Sequence, residues 1–281
     1  MTRLTWLASY PKSGNSWVRL LLAYYRQPEL VEQPLSQFRK DDFAQSARMF
    51  DELTGCTSAD LDTDQTLARR PLFHRALAHE LGQEHILKTH DCAVLTAGPP
   101  LFAAGSSERA IYIVRNPLDV AVSYASHINR PIDWVITLMA NEDARIDRRD
   151  ETAGQLLEQY VGSWSHNVSS WVNWQAFPVL LVRYEDLVAD PNKELLRLVA
   201  FLGWSPDIER AAVAVRSTEF GVLRRREQDS GFSIPVYGDQ PFFRSGRIGD
   251  GRLVLSKSQV TAIIEDHGHL MGRMGYLDQV D

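Results

Sequence analysis

A loop that could bind an anion lies near the start of the chain. Residues 8–17 read Ala-Ser-Tyr-Pro-Lys-Ser-Gly-Asn-Ser-Trp and join a short apolar run to the helical run Val18–Tyr25. The first turn of a helix presents unpaired backbone N–H groups and the positive end of the helix dipole, and both attract a phosphate. Gly14 lets the backbone approach the anion closely, and Lys12 adds a mobile positive charge. Further donors come from Ser13, Asn15 and Ser16.

The order of residues in this loop separates two kinds of phosphate chemistry. A nucleotide triphosphate loop reads Gly-x-x-x-x-Gly-Lys-Ser/Thr, whereas here the lysine precedes the single glycine. A P-loop kinase acting on a small molecule would use a similar loop, but it needs the Gly-Lys-Ser/Thr pairing for Mg²⁺ and triphosphate. Residues 9–17 lack that pairing, so the sequence disfavours the kinase.

A histidine follows the second apolar run, Ile86-Leu87-Lys88-Thr89-His90. Ligands of parallel sheets bind beyond the carboxyl ends of the strands, which puts His90 where a general base could act. A lone histidine more often has a structural role. We assign that role to His74, His79, His85, His127, His166, His267 and His269.

An arginine ends the third apolar run, Ala110–Val114, and Pro117 then opens a helix. Arg115 and Ser123, which lies about two turns into that helix, could reach one phosphate. The guanidinium suits this role because its fork binds two oxygens. The alternative is a salt bridge between Arg115 and Asp119.

These motifs require strands that alternate with helices. Short apolar strands are predicted at Leu4–Ser9, His85–Lys88, Ala110–Val114 and Val179–Arg183. Helices are predicted at Ser16–Tyr25, Thr66–Leu81, Pro117–Ser126, Glu151–Phe177 and Pro191–Leu202. The alternation predicts an α/β fold with a P-loop-like central parallel β-sheet flanked by helices on both sides. Residues 28–63 show no clear helical or strand periodicity. The Gly-, Pro- and aromatic-rich composition of residues 227–251 predicts a long loop that could act as a lid over cofactor or substrate.

The composition excludes several classes of protein. The chain has 281 residues, 44% of them hydrophobic, and a net charge of −6, which argues against a broad nucleic-acid surface. Its two cysteines cannot form a disulfide framework and fit a reducing compartment. No run of 18 apolar residues occurs and the start is too short for a signal peptide, so we expect a cytoplasmic protein without membrane contact.

The motifs together resemble those of sulfotransferases that use 3′-phosphoadenosine 5′-phosphosulfate (PAPS). Tyr-Pro-Lys-Ser-Gly-x-x-Trp, Lys-Thr-His, Arg…Ser, Tyr-Glu-Asp-Leu at 184–187 and Arg-x-Gly at 244–246 occur in the family's order, across residues 6 to 252. The resemblance implies a single sulfotransferase domain over residues 1–281. Residues 126–160 resemble bacterial members of the family that modify natural products.

The resemblance also implies how the cofactor is held. The 5′-phosphosulfate would be bound by Lys12, Ser13, Gly14, Asn15 and Ser16. Adenine would be contacted by Trp17, Tyr184 and Thr218. The 3′-phosphate would be bound by Arg115, Ser123, Arg244, Ser245 and Gly246. Ser245 stands where the family has lysine, and Gly251 where it has tryptophan. We expect these two departures either to lower the affinity for the cofactor relative to the family pattern or to be compensated by Arg247. Glu185 and Asp186 are interpreted as structural, because paired carboxylates would repel a polyanion.

Catalysis would be an in-line displacement dominated by positioning and electrostatics. His90 would remove the acceptor's proton, Lys12 would stabilise the bridging oxygen, and Lys88 would neutralise the sulfuryl oxygens. Ser13 would hold Lys12 away until the acceptor binds, as the resemblance suggests. No metal is expected, and the desulfated product would be PAP.

The acceptor is predicted to be a small molecule with a hydroxyl group, whether phenol, alcohol or sugar. Phe102, Trp134, Tyr237 and Phe242 are the candidate lining residues, and they favour an apolar or aromatic acceptor. Arginines such as Arg130 and Arg145 leave an acidic or sugar acceptor open. A non-catalytic PAP- or peptide-binding domain would be expected to lose Lys12 or His90, and an interaction module would leave the ordered motifs unexplained. The sequence does not indicate the oligomeric state.

Overall fold

The chain divides into two compact units. The first comprises residues 1–10, 41–112 and 138–181, and the second comprises residues 11–40, 113–137 and 182–281. The computed structural model describes residues 3–38, 43–82, 85–95, 100–146, 156–234 and 241–277. Among the described residues, no helix combines the length and the apolar character needed to cross a bilayer.

Most of a four-stranded sheet lies in the first unit. The strands are β1 Leu4–Ser9, β2 Ile86–Thr89, β3 Ser107–Val114, β4 Arg145–Ile146, β5 Gln159–Tyr160 and β6 Val179–Arg183. The sheet has the order β2-β1-β3-β6, and β1 pairs with β2 in parallel from Thr5↔Ile86 to Ala8↔Thr89. Every residue of β1 is buried, as expected for a strand covered on both faces. The predicted α/β class with a central parallel sheet is confirmed, whereas the single-domain assignment stays a prediction.

Helices account for most of the second unit and also occur in the first. They are α1 Asn15–Arg26, α2 Ala47–Thr54, α3 Thr63–Leu81, α4 Pro117–Ile128, α5 Ile132–Ala140, α6 Trp164–Val172, α7 Tyr184–Ala189, α8 Pro191–Phe201, α9 Ile208–Ser217, α10 Phe220–Ser230, α11 Asp250–Val254 and α12 Lys257–Arg273. Capping boxes start two of the longest, with Asp62 and Gln65 at α3 and Ser256 and Gln259 at α12.

The predicted helix Glu151–Phe177 is wrong over most of its described part. Only α6 is helical there, and β5 pairs antiparallel with β4 before it. Gly162 has φ of 63°, and a Cβ there would lie 3.0 Å from the Cys92 sulfur, so the backbone turns tightly at this point. The Ser163 side chain then accepts the His166 N–H and starts the helix.

Two segments predicted to be irregular contain helices. Within residues 28–63, α2 begins after Ser46, whose side chain accepts the Met49 N–H, and short 3₁₀ turns surround it. Within residues 227–251, α10 continues to Ser230 and α11 begins at Asp250. Residues 235–240 lie outside the described residues, so the lid stays a prediction.

An aromatic cluster forms the core of the first unit. Phe102, only 1% exposed, packs against Trp6 at 4.7 Å, Trp171 at 4.9 Å and His74 at 5.3 Å between ring centroids. These contacts account for Phe102 without a ligand, and its assignment to an acceptor pocket stays a prediction. Burial, reinforced by the charge of Arg70, lowers the pKa of His74 to about 3.

Acid should destabilise the folded chain through this histidine and one other. Burial also lowers the pKa of His267 in α12 to about 4, against an ordinary 6.5 for both rings. Below pH 6.5 each of these histidines takes up a proton when the chain unfolds. The free energy of unfolding therefore falls as the pH falls from 6.5 towards the folded-state pKa values. Urea unfolding of His74→Phe should show a pH dependence shallower by about 1.4 kcal/mol per pH unit. An unchanged slope in His74→Phe would contradict the account.

Candidate active site

Residues 11–14 of the second unit form a tight turn that leads into α1, named the phosphate turn for the ligand that the sequence predicts. Lys12 has φ of 66° and Gly14 has φ of 101°, so two left-handed residues bend the chain into the helix. No side chain caps α1, and its first turn has no acidic residue. Ser13 is fully buried, and its hydroxyl has no hydrogen-bond partner within the described residues. Uncapped N–H groups and a buried unpaired hydroxyl fit a bound phosphate or sulfate group.

Tyr184 at the start of α7 packs against this turn. A Cβ at Gly14 would lie 2.7 Å from the Tyr184 ring, and the Trp17 ring lies 5.9 Å from it, edge to face. The structure therefore brings together the phosphate turn and both aromatic residues that the sequence assigns to adenine. Glycine is required at residue 14 by the positive φ and by this close approach.

Substituting Gly14 should weaken both the fold and anion binding. In Gly14→Ala the new methyl group must displace Tyr184 while the backbone stays strained, which should cost about 1–3 kcal/mol of unfolding free energy. Chemical denaturation measures this loss. The control is Gly105→Ala, because a Cβ there meets nothing within 4 Å. Equal stability of the two variants would show that the turn tolerates a side chain.

Arg115 links the phosphate turn to the segment 244–251. Its guanidinium donates to the Lys12 carbonyl at 3.2 Å and to the Arg247 carbonyl at 2.9 Å, and it lies 4.3 Å from the Tyr184 ring centroid. Its Nε is buried without a hydrogen-bond partner among the described residues. Arg115 thus combines a fixed position with an unused donor, as an anion-binding arginine should.

The alternative, a salt bridge between Arg115 and Asp119, is present in the structure as a long ion pair, so Arg115 has a structural contact in addition to its bonds to Lys12 and Arg247. The two side chains are 3.8 Å apart, whereas Asp119 accepts the backbone N–H groups of Gly249 at 2.9 Å and Gly251 at 2.8 Å. Asp119 therefore holds the segment 244–251 against α4. A Cβ at Gly251 would lie 2.6 Å from the Leu118 carbonyl carbon, which explains why a tryptophan does not fit there.

Two side chains of the segment 244–251 bind the carboxylate of a third residue, Asp250. Arg244 donates to Asp250 at 3.0 Å, and Ser245 donates to the same oxygen. The Tyr184 hydroxyl donates to the Gly246 carbonyl at 2.9 Å, which joins this segment to the phosphate turn through a second residue. The structure therefore places Arg115, Tyr184 and Gly246 in one connected group.

Thr218 and Ser123 are two further residues that the sequence assigns to the cofactor site. The Thr218 hydroxyl donates to the carbonyls of Ala214 and Val215, so it completes the end of its own helix α9. Ser123 is half-buried on α4. Their contacts with a cofactor stay predictions.

Glu185 next to Tyr184 has a structural role. Its carboxylate accepts the Asn116 N–H at 3.0 Å and the Tyr276 hydroxyl at 2.9 Å. Burial raises the pKa of Glu185, and these hydrogen bonds oppose the rise. Glu185 thus fixes the residue that follows Arg115, and nothing in its contacts suggests acid–base chemistry.

In the first unit, Lys88 and His90 lie at the carboxyl end of β2 and are each 6% exposed. The His90 ring donates from Nδ1 to the Ser9 carbonyl at 2.7 Å. This bond fixes the tautomer of the neutral ring, so the lone pair is on Nε2. A neutral imidazole held in this way has the form required of a general base.

The turn after β2 is anchored by Asp91. Its carboxylate accepts the Thr89 hydroxyl at 2.9 Å and the Tyr160 N–H at 2.7 Å, and its carbonyl accepts the Trp171 indole N–H at 2.9 Å. Burial raises the pKa of Asp91, and the charge of Arg70 opposes the rise. Sequence reasoning missed Asp91, although its position directly after His90 was a signal.

The predicted acceptor residues occupy different surroundings. Phe242 lies under the Lys12 ammonium, 4.4 Å from ring centroid to Nζ, and packs against Phe232 at 4.8 Å. Glu227 holds this region by accepting the N–H of Phe242 at 2.6 Å, a role that the sequence gave no signal for. Trp134 is 48% exposed. Tyr237 lies outside the described residues.

Within the part of the chain that the structure describes, no three His, Cys, Asp or Glu side chains form a group that could hold a metal ion.

Comparison with known proteins assigns the family. A sulfotransferase domain model matches residues 3–275. The chain belongs to the sulfotransferase family. Bovine (Bos taurus) sulfotransferase 1A1 is 26% identical over 268 residues, covering 90% of this chain and 78% of that protein. Cytosolic sulfotransferase 1 of Danio rerio is 27% identical over 260 residues, covering 87% and 74%.

Two solved structures share the fold. Mouse sulfotransferase SULT7A1 complexed with PAP gives a TM-score of 0.59 at 22% identity, covering 96% of this chain and 84% of that one. Retinol dehydratase in complex with androsterone and inactive cofactor PAP gives 0.60 at 18% identity, covering 95% and 80%. The predicted P-loop-like sheet flanked by helices is confirmed, and the family assignment supports sulfuryl transfer as the activity.

Proposed function

We propose that this sulfotransferase moves the sulfuryl group of PAPS to a hydroxyl group of a small-molecule acceptor. The observation that carries the proposal is Arg115, which joins the phosphate turn to the segment 244–251 and keeps a buried donor unused. An arginine fixed in this way suits a 3′-phosphate, the group that distinguishes PAPS from ordinary adenine nucleotides. The PAP held by SULT7A1 and by retinol dehydratase supports the same donor.

The phosphate turn would hold the 5′ end of the donor. The first N–H groups of α1, the Ser13 hydroxyl and Lys12 supply donors and positive charge there. Trp17 and Tyr184 would pack against adenine, and Arg244 with the backbone at Gly246 would complete the 3′-phosphate site. Arg244 would have to share its charge between the phosphate and Asp250, and Ser245 adds no positive charge. We therefore expect this 3′-phosphate site to bind more weakly than one with lysine at residue 245.

PAPS supplies an activated sulfuryl group whose leaving group is the phosphate of PAP. His90 would accept the acceptor's proton at Nε2, because Nδ1 is occupied by the Ser9 carbonyl. Lys12 would stabilise the charge that develops on the bridging oxygen, Lys88 would neutralise the sulfuryl oxygens, and Ser13 would restrain Lys12. The proposal requires Lys12 and Ser13, which follow β1, and Lys88 and His90, at the end of β2, to act on one PAPS molecule. Ser9, whose carbonyl holds the His90 ring, precedes Lys12 by only three residues in the sequence.

The acceptor would be apolar or aromatic. Phe232, Phe242 and Phe243 form a cluster with centroid distances of 4.8–5.1 Å, and Phe242 contacts the Lys12 ammonium. The androsterone bound to retinol dehydratase is an apolar alcohol and supports this class. We further propose that the enzyme acts without a metal ion and in the cytoplasm.

Labelled PAPS tests the proposal directly. The purified protein is incubated with PAPS and a panel of phenols, apolar alcohols and sugars, with and without a chelator. The expected result is transfer to an apolar or aromatic hydroxyl that the chelator leaves unchanged. Transfer of phosphate from ATP with Mg²⁺, together with no transfer from PAPS, would contradict it.

A further inference from the structure

The main chain of His90 is held from both sides by buried side-chain amides. The Gln159 amide oxygen accepts the His90 N–H at 2.9 Å, and the Asn167 amide nitrogen donates to the His90 carbonyl at 3.0 Å. Gln159 is 4% exposed and Asn167 is fully buried. Both bonds are direct and buried, so they restrain both peptide groups that flank the His90 Cα.

Tyr112 on β3 determines which way the Asn167 amide points. The Tyr112 hydroxyl donates to the Asn167 amide oxygen at 2.7 Å, while the amide nitrogen also donates to the Val161 carbonyl at 2.8 Å. A flipped amide would place its oxygen against two carbonyls and its nitrogen against a hydroxyl. All three bonds therefore select one orientation, in which the donor faces His90.

The ring of His90 is fixed as well, through the Ser9 carbonyl at 2.7 Å. With main chain and ring both anchored, the place of Nε2 is determined by buried contacts of the first unit. A catalytic base must meet its proton at hydrogen-bond distance, and misplacement by about 1 Å can cost 10²-fold in rate.

We propose that Tyr112 and Asn167 are positioning residues for the His90 base, Asn167 directly through the His90 carbonyl and Tyr112 through Asn167. The proposal rests on the proposed function, in which His90 accepts the acceptor's proton. Asn167 belongs to no motif that the sequence resemblance identifies, and Tyr112 lies in the strand that precedes Arg115 without a role assigned to it. Each acts through another residue rather than on the substrate.

Two variants of different severity test this role. Tyr112→Phe removes one hydroxyl and keeps the ring that stacks on Trp171, whereas Asn167→Ala removes the whole amide. We expect kcat to fall by about threefold to tenfold in Tyr112→Phe and by about 10–100-fold in Asn167→Ala, with KM for PAPS unchanged. In the His90→Ala background neither change should lower the remaining rate further, since the base that they position is absent.

Ser163→Ala is the matched control. It removes the cap of α6, the helix that carries Asn167, and should lower the urea midpoint of unfolding without touching His90. Three results would each overturn the positioning role. The first is an equal loss of kcat in this control, and the second is full activity in both test variants. The third is a loss in the double variants that adds to the loss caused by His90→Ala.

Nitrogen-15 NMR of the histidine rings separates this proposal from the proposed function. We expect His90 to carry its proton on Nδ1 in the parent chain, and we expect Asn167→Ala to change its tautomer ratio or broaden its signals. An unchanged His90 spectrum would overturn the positioning role even in an active enzyme. Absence of sulfuryl transfer in the parent chain would contradict the proposed function, while the NMR result would still decide the position of the ring.

Discussion

His90→Ala should lower the rate of sulfuryl transfer by about 10²–10⁴-fold, the range that general bases contribute, and leave PAP binding unchanged. The expectation follows from the geometry of β2. His90 is 6% exposed at the end of the strand, and its ring is held by the Ser9 carbonyl in the tautomer with a lone pair on Nε2. Alanine removes the proton acceptor, while the main-chain bonds to Gln159 and Asn167 remain available.

Single-turnover assays with PAPS and calorimetric titration with PAP measure the two halves of this prediction. The control is His79→Ala, because His79 is exposed near the end of α3 and should have no effect on either quantity. Loss of PAP binding in His90→Ala would instead assign a structural role to this histidine.

Lys12→Met should lower the rate by about 10²–10³-fold, the effect of removing one charge-stabilising donor. Methionine keeps a similar length and can still contact the Phe242 ring, which the Lys12 ammonium approaches to 4.4 Å. The Lys12 carbonyl, which accepts from Arg115, is unaffected by the substitution. The change therefore isolates the charge from the shape of the turn.

Comparing kcat with KM for PAPS in this variant distinguishes catalysis from binding. A fall confined to kcat would support stabilisation of the departing phosphate, and a rise confined to KM would assign Lys12 to binding alone. Lys257→Met removes an equal charge from the exposed start of α12 and should change neither constant.

The sheet and the tight turn that leads into α1 could be predicted well from the sequence, whereas phosphate binding by that turn stays a prediction. The bounds of β1 and β6 agree with the prediction, because each is a short, continuous run of mostly apolar residues; β1 is buried throughout, whereas only Val182 of β6 is buried. Gly14 could be identified as a residue that permits close approach. That the group it approaches is Tyr184 depends on packing between residues 170 positions apart.

Contacts between distant segments were out of reach of sequence reasoning. Asn167 lies in a stretch predicted as one long helix, and its bond to His90 spans 77 positions. Glu227 and Asp119 bind backbone N–H groups of later segments, which leave no periodic trace in the sequence. The apparent helix Glu151–Phe177 failed because the tight turn at Gly162 and the pairing of β5 with β4 override local propensity.

Calorimetric titration of the parent chain and Arg115→Ala with PAP and with ADP tests the central claim most directly. PAP and ADP each carry two phosphates; PAP has its second phosphate on the 3′ oxygen, where Arg115 is proposed to recognise it, whereas ADP has its second phosphate on the 5′ phosphate. The account predicts that PAP binds the parent chain more tightly than ADP by about 10–100-fold, the effect of a charge-assisted contact, and that Arg115→Ala loses this preference. Equal binding of PAP and ADP by the parent chain, or ATP binding that requires Mg²⁺, would contradict it.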